Sequence, residues 1–183
     1  MRIAVISDTH IPRAATALSS ACLAQLVTSD AIIHAGDHSD LDSLDALRGL
    51  GPPVIAVHGN VDSDGIRREL PADAVLETDG MRVAVTHDAG AGPGRARRMA
   101  RRFPDVDGIV FGHSHIPLQH APQDGPWLLN PGSPTDRRRQ PHHTMAMLDL
   151  RDGTMDVRFL VVDGEEAAVL PDDLIRGRGQ PAE

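Results

Sequence analysis

Three short, wholly apolar runs interrupt the first sixty residues, and each stops abruptly at polar ones. They are Ile3-Ala4-Val5-Ile6, Ala31-Ile32-Ile33 and Val54-Ile55-Ala56-Val57. Runs this short, with no polar alternation, read as strands buried on both faces. Between them the apolar residues fall at helical spacing. Leu18, Cys22, Leu23, Leu26 and Val27 predict a helix over 14–28, and Leu41, Leu44 and Leu47 predict another, stopped by Gly49 and Pro52-Pro53. Strand, helix, strand, helix, strand predicts parallel βαβ units in an α/β fold.

The second half continues differently. Met81 to Val85 reads as a strand ending at Thr86-His87, and Ile109-Val110-Phe111 as one ending at Gly112-His113. Between them, Arg95 to Phe103 predicts a helix halted by Pro104. Met145–Leu150 and Thr154–Val162 predict a hairpin joined by Asp152-Gly153, a strong two-residue turn signal. With 183 residues, 40% of them apolar, one compact domain with a sizeable core is expected. Residues 1–162 are assigned to that domain. Residues 163–183, acidic and then rich in Gly and Pro, are expected to form a partly flexible tail.

Charge and composition narrow the function classes. The chain carries 26 acidic and 18 basic residues, a net charge of −8, and every basic one is Arg. A general nucleic-acid coat would be basic, and one that stacks single strands would need more aromatics than three Phe and one Trp. Long nucleic acid is therefore not the expected partner. The lone Cys22 allows no intrachain disulfide, which fits a cytoplasmic setting. No apolar run approaches the length of a membrane span, so no membrane insertion is expected.

One pattern carries chemistry. Each apolar strand is followed within a few residues by Asp, His or Asn: Asp8 and His10, Asp37, Asn60, His87, then His113 and His115. The carboxyl ends of parallel strands form the rim where α/β folds bind ligands. Any single block has a plain reading, since Gly36-Asp37 and Gly59-Asn60 are ordinary turn dipeptides and Asp8 resembles a helix cap. His113-Ser114-His115 is stronger, because two imidazoles so close are costly to bury without partners. Five blocks in one order point to a site of carboxylate, amide and imidazole, a donor set that suits divalent transition metals.

The blocks Asp8-Thr9-His10, Gly36-Asp37, Gly59-Asn60, Thr86-His87 and Gly112-His113-Ser114-His115 resemble, in order, those of calcineurin-like metallophosphoesterases. Compact length and Asn130-Pro131-Gly132-Ser133 place the resemblance with the small bacterial and archaeal phosphodiesterase branch. It implies a two-sheet β-sandwich flanked by helices on both sides, a four-layer α/β/β/α arrangement. It also implies two divalent ions, manganese foremost, with iron, zinc, nickel or magnesium as alternatives. Asp8, His10 and His115 would hold one ion, Asn60, His87 and His113 the other, and Asp37 would bridge both. The implied reaction is hydrolysis of a small phosphate ester, a diester rather than a monoester, by attack of a metal-bridging hydroxide.

The chain departs from the family pattern at two places. Val61 stands where many members have a His that protonates the leaving oxygen, which points to good leaving groups, and His38 is the candidate replacement acid. Asp88 stands where Gly is usual and is a candidate extra ligand or support. His34, His58 and Asp62 are candidates for orienting the ligands, with strand-end packing or a helix cap as the alternatives. One of Arg137, Arg138 and Arg139 is a candidate phosphate contact, whereas the run Arg95 to Arg102 reads as a solvated helix face. The rival reading is a catalytically weak metal-binding scaffold or regulator of the same fold, which would have no need of all seven ligands. A homo-oligomer is a further expectation, resting on the apolar C-terminal strands.

Overall fold

The computed structural model describes residues 1–78, 80–122 and 125–177. β1 (Arg2–Ile6), α1 (Ser20–Val27), β2 (Ala31–His34), α2 (Leu41–Arg48) and β3 (Val54–Ala56) form the expected alternation, and β1, β2 and β3 pair in parallel. The predicted hairpin is β9 (Thr144–Arg151) and β10 (Thr154–Val161), with Asp152 and Gly153 both at positive φ, as a tight two-residue turn needs. β9 returns to pair antiparallel with β1. With the two-residue strand β11 (Ala168–Val169) these elements make a six-stranded sheet in the order β11-β10-β9-β1-β2-β3.

A second, five-stranded sheet runs β4-β5-β6-β8-β7. Its members are β4 (Asp73–Thr78), β5 (Met81–Thr86), β6 (Gly108–Val110), β7 (Leu118–His120) and β8 (Trp127–Asn130). The strands of both sheets sort their side chains by alternation. Ile3, Val5, Ile33, Val83, Val85 and Val110 meet in the core between the sheets. Ala4, Ile6 and Ile32 face the other way and are covered by Ala21, Cys22, Leu26 and Leu47 of α1 and α2. Ala84, Ile109 and Leu128 face outward from the second sheet and are covered by Met99 of α4 (Arg95–Arg102). The result is a sandwich of two mixed sheets with helices on each outer face. Burial pushes the Cys22 thiol up to about 12, as a core position should.

Three expectations are corrected. The first helix begins at Ser20, not near Ala14, because Ser19 caps it: its Oγ accepts the Cys22 N–H at 3.2 Å and donates to the Val162 carbonyl at 2.7 Å. Leu18 keeps the helical spacing because it packs on the same cluster from the preceding loop. Second, α3 (Asp64–Glu69), β4, β7 and β8 had no counterpart in the sequence reading. Third, the segment from Gly164 to Gly177 does not fray. β11 pairs with Leu160 and Val161, Leu170 and Ile175 are buried in the core between the sheets, and Arg176 bridges to Leu118. The last six residues of the expected tail lie outside the described ones.

Leu170→Ala and Ile175→Ala should therefore each lower unfolding stability by about 2–4 kcal/mol, the usual loss for a buried large-to-small change. Urea titration followed by circular dichroism would measure it; midpoints equal to wild type would mean that this segment does not pack.

Candidate metal centre

All seven candidate ligands lie on loops that leave strand ends at one rim. Asp8 and His10 follow β1, Asp37 follows β2, Asn60 follows β3, His87 follows β5, and His113 and His115 follow β6. Five of them, Asp8, His10, Asp37, His113 and His115, hold a positive φ between 46 and 68°. Residues with a Cβ rarely adopt this left-handed backbone, and where they do the surroundings enforce it.

The surroundings are visible here. The Asp8 carboxylate receives the Ser7 hydroxyl at 2.7 Å and the His113 N–H at 2.9 and 3.1 Å. Its own carbonyl accepts the Ser133 hydroxyl at 2.8 Å. The Thr135 hydroxyl donates to the Thr9 carbonyl at 2.6 Å, and Asn130 Nδ2 to the Gly112 carbonyl at 2.6 Å. The Asn130–Ser133 block thus ties the loop after β1 to the loop after β6. Asp62 does the same on the other side. Its buried carboxylate accepts the N–H groups of Asp37 at 3.0 Å, Ser39 at 2.7 Å and Gly59 at 2.6 Å, joining the loops after β2 and β3. Gly59 has no positive φ, yet a Cβ there would lie 2.0 Å from Asp37 Oδ1, so this glycine is required by close approach alone.

The donor atoms fall into two groups. In the first, His115 Nε2 lies 3.3 Å from Asp8 Oδ1 and 3.3 Å from His10 Nε2. In the second, Asn60 Oδ1 lies 3.0 Å from His87 Nε2 and 2.9 Å from His113 Nδ1. Asp37 Oδ2 stands between them, 3.8 Å from His10 Nε2 and 3.3 Å from His87 Nε2. Asp8, His10, Asp37, His87 and His115 are buried, while Asn60 and His113 are exposed and form the mouth.

The tautomers fit a cation. His87 Nδ1–H donates to the Ala35 carbonyl at 2.8 Å, and His115 Nδ1–H donates to the Asp136 carbonyl. Each ring therefore turns an Nε2 lone pair toward acceptors, for His87 the Asp37 carboxylate and the Asn60 amide oxygen, for His115 the Asp8 carboxylate. A positive charge, proton or metal ion, suits that arrangement, and a backbone carbonyl on the far ring nitrogen is the usual support of a metal-bound imidazole. A proton responds to the same field. Burial alone would lower both rings, but for His87 the hydrogen bond to Asp37 and the charges of Asp8 and Asp37 raise its pKa, and for His115 Asp8 does so. For Asp37, burial pushes upward, yet the His87 hydrogen bond and the Val61 N–H outweigh it and hold the carboxyl at about 2. His10 is lowered, because burial outweighs Asp37 and Asp8.

Comparison with known proteins identifies the family. The calcineurin-like phosphoesterase superfamily domain matches residues 1–153. The chain belongs to this superfamily. A probable metallophosphoesterase of Methanocaldococcus jannaschii is 38% identical over 138 residues, 74% of this chain and 69% of that one. Another, from Methanothermobacter thermautotrophicus, is 36% identical over 138 residues, 74% of this chain and 78% of that one. Among solved structures, Vacuolar Protein Sorting 29 from Cryptosporidium parvum superposes with a TM-score of 0.79 at 20% identity, covering 92% of this chain and 95% of that one. Among the described residues, no helix is long and apolar enough to cross a membrane.

The remaining candidate residues divide. Asp62 and His34 touch the ligand loops. Gly36 N–H donates to His34 Nδ1 at 3.2 Å, which leaves Nε2–H for the Thr9 hydroxyl 3.0 Å away. His58 is half-buried, and among the described residues its ring bonds to the neighbouring Gly59 carbonyl, at 3.3 Å. Asp88 is exposed and accepts the Gly90 N–H at 2.7 Å, a local turn outside both donor groups, with no positive φ to require it. His38 is corrected as the acid. It is 1% exposed, stacked 3.6 Å from the His34 ring, and its Nε2–H donates to the Val57 carbonyl at 3.2 Å, behind the loops rather than at the mouth. Burial takes its pKa down to about 4, so near neutral pH it has no proton to spare. Thr135 and Asp136 were missed, and Ser133 was singled out only as part of the Asn130–Ser133 block, with no role assigned; that block was the one sequence signal for all three.

Two outcomes follow. Gly59→Ala should weaken binding of Mn²⁺ or Zn²⁺ by about 10–100-fold in calorimetry, as loss of ligand support does. Gly164→Ala, with nothing within 4 Å of its added methyl, should not. The second outcome concerns pH. A histidine whose folded pKa lies below its unfolded one stabilises the fold above pH 6.5, and that contribution is lost as pH falls toward 4. Between pH 7.5 and 5, chelator-treated wild type should lose about 2 kcal/mol from His38, a loss absent from His38→Leu. Equal pH slopes for the two proteins in urea titrations would refute this placement.

Proposed function

We propose that this chain is a dinuclear metal-dependent phosphoesterase acting on small phosphodiesters with good leaving groups. The observation that carries the reading is Asp37, whose Oδ2 lies within 3.8 Å of His10 Nε2 and 3.3 Å of His87 Nε2. In this reading Asp8, His10 and His115 hold one ion, Asn60, His87 and His113 hold the other, and Asp37 is shared. The donor set suits Mn²⁺, with iron, Zn²⁺, Ni²⁺ or Mg²⁺ as alternatives. When bound, such a pair of ions activates a water as nucleophile and offsets charge developing on the phosphoryl oxygens.

The chain's own residues supply placement. Asp62 and Ser133 hold the ligand loops, and the carbonyls of Ala35 and Asp136 fix two imidazole tautomers. Exposed Asn60 and His113 leave the second group open to a phosphate ester. Val61 is exposed beside them and has no proton to donate, while His38 is buried elsewhere. With no imidazole at the leaving oxygen, the departing group must be stable as an anion, which favours aryl over alkyl esters. A net charge of −8 is unsuited to long polyanions and indifferent to a small ester. A scaffold would not need the full donor set. The setting that fits is the cytoplasm.

Chelated protein reloaded with Mn²⁺, Zn²⁺ or Mg²⁺ should hydrolyse bis(4-nitrophenyl) phosphate faster than 4-nitrophenyl phosphate. Asp37→Ala should reduce that rate by at least about 100-fold. Protein that holds two ions yet turns over neither ester would overturn the reading.

A further inference from the structure

The two loops that carry His10 and Asp37 have a second face. Residues 9–11 and 37–39 run side by side, joined by a bridge between Ile11 and Ser39. One face presents His10 and Asp37 to the donor groups. The other presents Thr9, Ile11 and His38, together with His34, to a cavity of about 200 Å³. Its far wall is built from Leu18 and Leu23 on one side and Leu47 and Leu50 on the other. The exposed residues Ala17 and Ala46 stand at its rim.

The size and chemistry of this cavity are selective. The space is open to solvent past Thr16, Ala17 and Ala46, and its apolar walls lose contact with water when a molecule of matching shape fills it. An apolar cavity of about 150 Å³ is known to stay dry and take up a single aromatic ring, whereas drug-sized sites begin near about 300 Å³. No Asp, Glu or Arg lines the walls, so neither a cation nor an anion finds a counter-charge. Two polar groups of the lining have no hydrogen bond among the described residues, the Thr16 hydroxyl at the exposed rim and His38 Nδ1 within. His38 gives its Nε2–H to Val57, so the neutral ring's Nδ1 is an acceptor, and it has no partner among the described residues. His34 offers nothing comparable, since both its nitrogens are engaged.

We infer that this cavity is a binding site for a small neutral molecule, a single ring or a short chain, that carries one hydrogen-bond donor for His38 Nδ1. A phenol meets the description. The site is separate from the donor groups and does not depend on any reaction there.

The test is titration of the full chain with phenol and with anisole, which keeps the ring but replaces the hydroxyl by a methyl ether. Binding is followed by calorimetry and by backbone amide shifts. Phenol should bind saturably, with shifts at His38 and Leu47, and anisole about tenfold more weakly, the worth of one good hydrogen bond. Ala46→Trp, on an exposed helix position, should fill the space and abolish binding while circular dichroism stays unchanged; Ala17→Trp does the same from the opposite rim should the first variant fail to fold. No saturable phenol binding would overturn the inference, as would anisole binding equally well or phenol binding undiminished in a folded rim variant.

Discussion

The candidate centre depends on holding the main chain where it would not stay by itself. Five residues with ordinary side chains, Asp8, His10, Asp37, His113 and His115, sit in the left-handed region. Each such residue is disfavoured by about 1–2 kcal/mol. The strain is offset by hydrogen bonds that run from loop to loop rather than within one loop. Ser133 grips the Asp8 carbonyl, Thr135 grips the Thr9 carbonyl, and one Asp62 carboxylate gathers three N–H groups from two different strand ends. No single loop could keep its ligand in place if detached from the others.

That interdependence explains why glycines accompany the ligands. At Gly59 the missing Cβ lets the Asp37 carboxylate lie against the main chain, and at Gly112 it leaves room for the Ser7 hydroxyl and Asp8 carboxylate. The Gly-Asp, Gly-Asn and Gly-His dipeptides are turn residues in a local view. In the assembled rim they are places where two loops touch with no side chain between them. The same crowding leaves the opposite face of the loops after β1 and β2 less filled, which is where the His34–His38 pair and the cavity lie.

The sequence made the first sheet legible because its strands are short apolar runs punctuated by Gly and Pro, and the hairpin because Asp152-Gly153 admits one kind of turn. Its apolar pattern alone concealed the partition into two sheets, which the family resemblance implied. β4 is an edge strand whose residues are half-buried or exposed, so Asp73–Thr78 shows little apolar contrast, and β7 is only Leu118–His120. The candidate positions could be read because Asp, His and Asn stood after strand ends; their backbone conformation could not, since residues with a Cβ seldom adopt a positive φ and nothing in the pattern announces one. His38 misled for a related reason. Following Asp37 in sequence places it near the centre, but alternation along 37–39 turns its ring to the far side, onto His34. The tail misled because acidic and Gly-rich stretches hid two buried residues, Leu170 and Ile175.

The position of β1 has a consequence for biosynthesis. β1 leaves the ribosome before both its partners, and pairs on one side with β2 but on the other with β9, which is separated from it by most of the described residues. Asp8, at the end of β1, is completed by the His113 N–H and the Ser133 hydroxyl, both far downstream. Contacts of such long sequence separation form slowly and late. A nascent chain that has exposed Asp8, His10 and Asp37 therefore holds these candidate ligands apart, without the partners that fix them. Translation order itself thereby postpones assembly of the candidate centre until the fold around it is nearly whole.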